Sequence, residues 1–423
     1  MTVAAHLRKG WCPGALRPMR SGDGLLVRVR PRAGVFSLSA LRAIATTAGR
    51  FGSGEIDLTN RANLQLRGVS DDTYEAALRS LDAAGLIDQS AASEAVRNVV
   101  VNPLSGIDPS LTNVREIAAT FETVLGEDQR FWALPGKFGF SFSGNPAPRI
   151  GGRAADIMIA SEGDHFLVCL DGAIEVVCGV CPNDVLAAAQ HLALVFLELR
   201  ENDSSLGRMR DAVSRLGAMT IFAMAGLRAS GPPPVHPYAQ LGHVGLLARE
   251  EEMFGVGIGL PFGRIVADQL GVLCDAAAAA GVTDVHTSPI RVLVFPTRDR
   301  KRGAAFLEVA DKVGLITAAS DARLAMDVCP GSPACRNAST DTRGDAQRLV
   351  EDLDMRLSDY SLHVSGCEKG CARHAKADFT LVARNGHYDI IRNGCTGYPT
   401  ATAGVAPDDI VKTISRFITE SAS

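Results

Sequence analysis

The sequence CPGSPAC at residues 329–335, followed by CEKGC at residues 367–371, is the stretch that decides how this chain is interpreted. Four thiolates in two pairs suit either a structural zinc ion or an iron–sulfur cluster. Zinc knuckles favour shorter gaps than the five residues, two of them proline, that separate the first pair, whereas a larger cubane cluster needs ligand loops that spread wider. The pattern therefore favours a [4Fe-4S] cluster, with zinc and unliganded thiols as alternatives. The four candidate ligands are Cys329, Cys335, Cys367 and Cys371.

Glycines accompany both pairs: Gly331 lies inside the first, and Gly366 and Gly370 precede the two cysteines of the second. Because glycine has no side chain, it lets backbone N–H groups approach cluster sulfurs closely, which tunes the reduction potential. Nearby cations could offset the negative charge of such a cluster. They are Lys369, Arg336 and Arg373.

The other six of the ten cysteines form no second quartet. Cys178 and Cys181 make a C-x2-C pair that follows an apolar, strand-like run at 174–177, so we expect a buried or strand-edge position for them. For isolated cysteines a small buried apolar role is the ordinary interpretation. These are Cys12, Cys169, Cys274 and Cys395.

A second pattern, a duplication, fills much of the remaining chain. The first copy is predicted to contain a strand (24–31), a helix (from Leu38), two strands (55–59 and 63–68) and a helix that begins after the N-cap Ser70 and ends at 84–87. The second copy repeats this order with a strand (254–261), a helix (264–281), two strands (284–288 and 290–296) and a helix from about Arg302 to 313–316.

Three matched positions keep the two copies in register. Pro31 corresponds to Pro261, Thr59 to Thr287 and Gly85 to Gly314, which lie 230, 228 and 229 positions apart. Drift of only one or two positions through five elements indicates a duplicated βαββα unit whose two copies pack together as one pseudo-symmetric domain.

The duplication suggests four segments. They are a first repeat (1–92), a middle domain (93–230), a second repeat (231–316) and a cluster domain (317–423). The run SGPPP at 230–234 is a stiff linker between the middle domain and the second repeat. Within the middle domain we predict strands at 138–143 and 166–170 and a helix near 183–200.

Composition excludes several classes of protein. The formal net charge is −4, which argues against a nucleic-acid partner because such proteins need a basic face. The run MTVAAHLRKGWCPG at residues 1–14 has no apolar core of a signal peptide, and the longest apolar stretch, near 218–227, is about half the length of a membrane span. We therefore expect a cytoplasmic protein with no membrane association.

The cysteine signature resembles that of the siroheme-dependent sulfite and nitrite reductases. The resemblance covers essentially the whole chain. It implies an α+β, nitrite/sulfite reductase-like fold, in which duplicated ferredoxin-like βαββα units form a pseudo-symmetric domain beside two α/β cofactor-bearing domains. It also implies that the four cysteines bind a [4Fe-4S] cluster, with the last of them, Cys371, facing the siroheme.

Three basic residues lie in segments similar to those that supply anion-binding side chains in this family. They are Arg61 in TNRANLQ, Arg97 in RNV and Lys137 in LPGKF. The resemblance implies that the three are catalytic and converge on one cavity. The chain departs from the reductases at one position. The reductases carry a second lysine two residues after the first, and this chain has Gly139 there. Loss of a cation that would neutralise a small oxyanion indicates a different substrate.

Within the family, several runs most resemble the branch that works in aerobic cobalamin biosynthesis. They lie at 12–14, 22–30, 102–109 and 363–372. The branch resemblance implies an O2-dependent monooxygenase that hydroxylates precorrin-3A at C20 and forms a γ-lactone. It also implies the cluster with a possible non-haem iron and no siroheme. The anionic tetrapyrrole would then occupy the cavity that holds siroheme in the reductases, where Arg and Lys bind its carboxylates.

Two other functions stay open: a siroheme-dependent assimilatory sulfite or nitrite reductase, and a non-enzymatic electron carrier. The chain has no dinucleotide-binding G-x-G-x-x-G turn, because Gly255, Gly257 and Gly259 lie within a predicted strand at the wrong spacing. The electron donor is therefore expected to be a ferredoxin or a separate NAD(P)H-dependent reductase.

Overall fold

Four five-stranded sheets form the framework of the protein. The computed structural model describes residues 12–147, 150, 155–232, 243–353, 357 and 359–421. Part of the predicted linker lies outside the described residues, namely Pro233 and Pro234, as does most of the N-terminal run. Within the described part of the chain, no helix is both long and apolar enough to cross a membrane.

The first copy of the duplicated unit combines an antiparallel sheet with two helices. Its elements are β1 (Met19–Ser21), β2 (Gly24–Val29), β3 (Val35–Ser37), α1 (Leu38–Phe51), β4 (Glu55–Leu58), β5 (Leu64–Val69) and α2 (Asp71–Ala83). Serine caps fix where the helices begin: the Ser37 hydroxyl accepts the Ala40 N–H, and Ser70 forms a capping box with Thr73. The predicted N-cap at Ser70 is thus confirmed.

The middle segment surrounds a mixed sheet with helices. Its elements are α3 (Ala91–Val96), β6 (Val99–Val101), α4 (Arg115–Glu127), β7 (Phe140–Ser143), β8 (Ile157–Glu162), β9 (His165–Leu170), β10 (Ala173–Val180), α5 (Val185–Asn202), α6 (Met209–Leu216) and α7 (Ala218–Met224). Strands β6, β7 and β8 are parallel, and the other pairings are antiparallel. Cys178 is buried within β10 and Cys181 is exposed just after it, which agrees with the predicted strand-edge placement.

The second copy repeats the element order of the first. Its elements are β11 (Gly245–Arg249), β12 (Glu252–Gly259), β13 (Arg264–Val266), α8 (Ala267–Ala279), β14 (Asp284–Thr287), β15 (Val292–Pro296) and α9 (Arg300–Lys312). The predicted helix at 264–281 is in fact divided, because its first three residues form β13 and only the rest is helical.

The two copies exchange the short strand that precedes their first long helix. Strand β3 pairs with β14 of the other copy, placing Phe36 opposite Val285, and β13 pairs with β4, placing Ile265 opposite Ile56. The resulting sheets have matching orders, β1-β2-β5-β4-β13 and β11-β12-β15-β14-β3. Helices α1 and α8 contact each other, and apolar side chains of both copies share one core. The predicted pseudo-symmetric domain is confirmed.

The last segment carries the cysteine quartet on a mixed sheet. Its elements are β16 (Met326–Val328), α10 (Thr342–Leu353), β17 (Leu362–Ser365), β18 (Ala377–Arg384), β19 (His387–Gly394), β20 (Thr402–Val405) and α11 (Ile410–Ser421). Together with the middle segment it gives the expected α+β architecture of two α/β units beside a duplicated domain.

The division into 1–92, 93–230, 231–316 and 317–423 stays our proposal. The buried cores support it. Among the described residues, the middle core takes only Ala33 from outside 93–230, and the last core takes only Phe262 from outside 317–423.

Candidate active site

Parallel strands bring the two cysteine pairs together. Cys329 follows β16 directly and Cys367 lies two residues after β17, and these strands are parallel neighbours. The carboxyl ends of parallel neighbours meet at one edge of a sheet, so both pairs start from the same edge. The Cys329 N–H donates to the Val364 carbonyl at 3.1 Å and extends the ladder to the first thiol.

The four thiols are close enough to affect one another's ionisation. Burial raises the pKa of Cys371 to about 11, Lys369 opposes this rise, and Cys367, Cys329 and Cys335 add to it. Burial also raises the pKa of Cys329 and of Cys367, and Cys335 adds to both. A cubane cluster would relieve this repulsion, because each iron accepts one thiolate.

Backbone donors around the quartet suit thiolate sulfur. The Gly366 N–H donates to Cys329 Sγ at 3.1 Å. A Cβ on Gly366 would lie 2.5 Å from the Ala338 Cβ, so a larger residue would push this donor away. A hydrogen bond from the Lys369 N–H likewise favours the thiolate form of Cys367. It lowers the pKa of Cys367, whereas burial raises it. The donor set and its N–H groups therefore fit an iron–sulfur cluster.

Exposure differs among the four thiols. Cys329 is buried and Cys335 and Cys367 are partly buried, whereas Cys371 keeps an exposed surface although protein atoms close around its sulfur raise its pKa. Cys371 also interacts with Lys137 of the middle segment. That Cys371 faces the cavity stays a prediction.

The possible non-haem iron would need a separate site for a single metal ion. As far as the described residues go, no three His, Cys, Asp or Glu side chains form a group that could hold one. The possible non-haem iron thus has no candidate ligand set in this part of the chain and stays a prediction.

The first cysteine loop is bound to the first repeat through one carbonyl. The Ala334 oxygen accepts the Gly22 N–H at 3.1 Å, the Ser21 hydroxyl at 2.6 Å and the Arg67 guanidinium at 3.0 Å. Arg67 is 1% exposed and is held in turn by Asp23 and Asp57. The position of the loop that carries Cys329 and Cys335 therefore depends on the first repeat.

We expect Gly22→Ala to reduce cluster content without unfolding the protein. The added Cβ would lie 2.2 Å from the Pro333 carbonyl oxygen, so the loop that carries Cys329 and Cys335 must move away. Iron and acid-labile sulfide per protein would measure the effect. Gly271→Ala is the matched control, since nothing lies within 4 Å of its Cβ position in helix α8. Equal iron content in both variants would contradict the expectation.

A cavity of about 500 Å³, including its open mouth, lies between the repeats and the middle segment. Arg61 and Lys137 line it, together with Asn98, Gly139 and Arg208. Lys137 lies in a turn before β7 and Gly139 directly precedes that strand, whereas the side chains of Phe138 and Phe140 are buried in the core.

Two side chains hold the loop that carries Lys137. Arg61 donates to the Lys137 carbonyl at 2.6 Å, and the Asn98 amide donates to the carbonyls of Gly136 at 3.3 Å and Phe138 at 3.1 Å. Burial lowers the pKa of Lys137, as do Lys369 and Arg61, while Cys12 and Cys371 oppose the change. Lys137 thus lies between the cavity and the quartet.

Gly139, where the resemblance to the reductases implies a second lysine, lines the cavity. It is buried, its N–H donates to Asp156 Oδ2 at 2.9 Å, and a Cβ there would lie 3.1 Å from the Asn98 carbonyl oxygen. The backbone is therefore packed too closely for a second cation to be added without movement.

Arg97 does not join Arg61 and Lys137, contrary to the expected convergence of the three. It is 3% exposed, and its guanidinium donates to Asp88 at 2.9 and 3.1 Å and to the Pro31 carbonyl at 2.8 Å. A buried cation needs acceptors that replace its hydrating water. For Arg97 these acceptors are the Asp88 carboxylate and the Pro31 carbonyl, not a ligand. Arg97 connects the first repeat to the middle segment and is not among the residues that line the cavity.

We expect Arg97→Ala to lower stability rather than ligand affinity. Removing one partner of a buried ion pair costs about 3–5 kcal/mol, because Glu122 and Asp88 both lose the charge of Arg97 and Asp88 keeps only the exposed Arg32 as a partner. Chemical denaturation would measure the loss. Arg32→Ala is the matched control: Arg32 pairs with the same Asp88 at 2.7 Å but is 59% exposed, and its loss should cost about 1 kcal/mol or less. Equal losses would contradict a structural role specific to Arg97.

Sequence reasoning missed residues that the fold adds to this region. Arg28 of β2, Arg30 just after β2, and Cys12 interact electrostatically with this region, which includes Arg61 and Lys137. A signal for the arginines was present, because Arg28 and Arg30 alternate with the core residues Val27 and Val29 and so point to the opposite face.

Comparisons with known proteins agree with this geometry. The model of the nitrite/sulfite reductase ferredoxin-like half domain matches residues 17–84. A precorrin-3B synthase of Sinorhizobium sp is 31% identical over 94% of this chain and 86% of its own length. A ferredoxin–nitrite reductase of Leptolyngbya laminosa is 24% identical over 89% of this chain and 79% of its own. The structure of the Mycobacterium tuberculosis NirA protein covers 93% of this chain and 80% of its own, with a TM-score of 0.76 and 19% identity.

The duplicated domain and the half-domain match define a protein of the nitrite/sulfite reductase fold class. Given the full-length similarity at 31% identity, the chain belongs to the precorrin-3B synthase family within that class.

Proposed function

We propose that this chain is a precorrin-3B synthase, which hydroxylates precorrin-3A at C20 in an O2-dependent reaction and forms a γ-lactone in aerobic cobalamin biosynthesis. The observation that carries the proposal is the cavity lined by Arg61 and Lys137, with Lys137 also interacting with Cys371 of the quartet. The relative named precorrin-3B synthase supports it.

The cations of the cavity suit a polycarboxylate. Arg61 has a buried Nη1 without a hydrogen-bond partner, so this nitrogen can still donate a hydrogen bond to a ligand oxygen. A guanidinium and an ammonium bind carboxylates through charge-assisted bonds, which are stronger than neutral ones. Arg61 and Lys137 would therefore fix the acetate and propionate groups of the macrocycle and orient its ring.

Cys329, Cys335, Cys367 and Cys371 would hold the [4Fe-4S] cluster, which would supply single electrons when bound. Overall, one oxygen atom of O2 enters the product and the other leaves as water, which consumes two electrons and two protons. A ferredoxin or an NAD(P)H-dependent reductase would deliver the electrons. Lys137 is suited to hold a proton near the ring, because its surroundings lower its pKa.

Anaerobically purified protein tests the proposal. We expect iron and sulfide in cluster proportion, a broad weak absorbance without an intense tetrapyrrole band, and one labelled oxygen atom in the product when precorrin-3A, an electron donor and labelled O2 are supplied. An intense siroheme spectrum with reduction of sulfite or nitrite would instead establish the alternative, a siroheme-dependent reductase. The similarity of this chain to proteins named as nitrite and sulfite reductases supports that alternative.

A further inference from the structure

Arg208 lines the same cavity as Arg61 and Lys137 but comes from the segment directly before helix α6. Its side chain donates through Nε to both oxygens of Asp156, at 2.8 and 3.0 Å, and makes no other hydrogen bond within the part of the chain that the structure describes. The terminal nitrogens Nη1 and Nη2 therefore keep their donors, and both retain accessible surface. The side chain is 21% exposed, so these donors are available to a ligand in the cavity.

Asp156 holds this guanidinium in one orientation because the carboxylate is itself fixed. Its side chain is fully buried, Oδ1 also accepts the Met209 N–H at 2.8 Å, and Oδ2 also accepts the Gly139 N–H at 2.9 Å. The carboxylate thus joins two segments of the cavity wall. An arginine held in this way loses little side-chain freedom when a ligand binds, which favours affinity.

The other acids near Arg208 are bound elsewhere. Asp171 and Asp211 both interact with it electrostatically. Asp171 pairs with Arg210 at 3.4 Å, and Asp211 accepts the backbone N–H groups of Gly207 and Arg208 at 3.0 and 2.9 Å. Among the described residues, no carboxylate therefore accepts a hydrogen bond from the terminal nitrogens of Arg208.

Arg61 and Arg208 present free donors to one cavity. The two guanidinium groups come from different segments and are close enough to repel each other. Arg61 contributes the buried Nη1 that has no hydrogen-bond partner. Neighbouring cations of this kind are stabilised by an anion, and the paired nitrogens of a guanidinium match the two oxygens of a carboxylate.

We propose that Arg208 is a further ligand-binding residue of the cavity: its terminal nitrogens bind a carboxylate of the ligand, and Asp156 is the residue that positions it. The inference rests on the proposed function for the class of ligand, a polycarboxylate. It adds to Arg61 and Lys137 a third cation, so that carboxylates at separate places on a macrocycle can be bound at once.

The first experiment measures binding of uroporphyrin, a stable polycarboxylate tetrapyrrole, to the intact protein by fluorescence quenching. We expect Arg208→Met to weaken binding roughly ten- to a hundredfold, because a charge-assisted contact is lost. Arg210→Met is the matched control, since Arg210 lies two positions later, is 53% exposed and is not among the residues that line the cavity. Wild-type affinity in Arg208→Met would overturn the proposal.

The role of Asp156 is tested by a double variant. Asp156→Asn should weaken binding several-fold in the wild-type background and have no further effect in the Arg208→Met background, because a positioning residue acts only through the side chain that it positions. An equal loss of affinity in both backgrounds would show a general effect on the fold and would overturn the positioning role.

The last experiment needs no variant and so does not depend on whether Arg208→Met folds. Phenylglyoxal adds through its two carbonyl carbons to the terminal nitrogens of a guanidinium, and peptide mass spectrometry measures the rate at each arginine. Bound uroporphyrin should slow the modification of Arg208 at least fivefold and leave that of Arg210 unchanged. Uroporphyrin binding without this protection would overturn the inference alone, whereas a wild-type protein that binds no uroporphyrin would overturn the polycarboxylate ligand of the proposed function as well.

Discussion

Protein in which Cys329 is replaced by serine is expected to be purified with roughly a tenth or less of the wild-type iron and acid-labile sulfide. A serine hydroxyl is a hard ligand that replaces thiolate poorly on iron. Cys329 is the buried member of the quartet, and its sulfur accepts a hydrogen bond from the Gly366 N–H. Iron, sulfide and visible absorbance of anaerobically prepared protein are the measurements.

Cys335→Ser and Cys367→Ser should behave like Cys329→Ser, whereas Cys371→Ser should retain part of its iron and lose turnover. Cys371 keeps an exposed surface and interacts with Lys137, so its replacement would change the cavity side of the site more than the buried attachment through Cys329. The controls are Cys178→Ser and Cys181→Ser, which lie in another domain at the end of β10. If these controls lose as much iron as Cys329→Ser, the ligand assignment is wrong.

Arg61→Ala and Lys137→Met are expected to weaken binding of uroporphyrin by roughly ten- to a hundredfold each, because a charge-assisted contact is worth about 1.5–3 kcal/mol. The cluster spectrum should stay that of wild type, since neither side chain is a ligand. Fluorescence quenching of the porphyrin measures the affinity. Lys301→Met, which removes an exposed cation from helix α9, is the control for net charge and should bind normally.

Combining Arg61→Ala with Lys137→Met in one protein tests whether the two cations act at a shared site. Arg61 donates to the carbonyl of Lys137, so removal of Arg61 also loosens the loop that places the ammonium. Directly coupled residues are not additive, and the double variant should lose less than the combined losses of the single variants. Full additivity would show that the two cations act at separate places and would contradict a shared site.

The main features of the fold were predictable because they depend on local patterns. Spaced apolar residues in α1, the serine cap of α2 and the repeated Pro, Thr and Gly positions are all readable along the chain. The exchange of β3 and β13 was not predictable. Each is three residues long, and its partner lies more than two hundred positions away, so no local periodicity identifies it.

The candidate site was also predictable only where local sequence patterns identify its residues. The cysteine quartet is found from spacing alone, because its members are unusual residues in close pairs. The role of Arg97 depends on Asp88, which lies nine positions earlier and reaches it only through the fold. Cys12 carries no signal by itself, because what distinguishes it is the charge that strands and loops from elsewhere place around it.

The exchanged strands also constrain how the protein is made. On the ribosome, the edge of the first sheet at β4 has no partner until residues 264–266 emerge, after the whole middle segment has been synthesised. An unpaired strand edge is open to association with other chains, so the nascent protein should need a chaperone over this interval. The first cysteine loop lies still later in the chain and docks on the finished repeat through Ala334. If the quartet binds the proposed cluster, insertion of iron and sulfide is expected only after the repeats have been synthesised, and expression faster than that insertion should yield folded protein without the cluster.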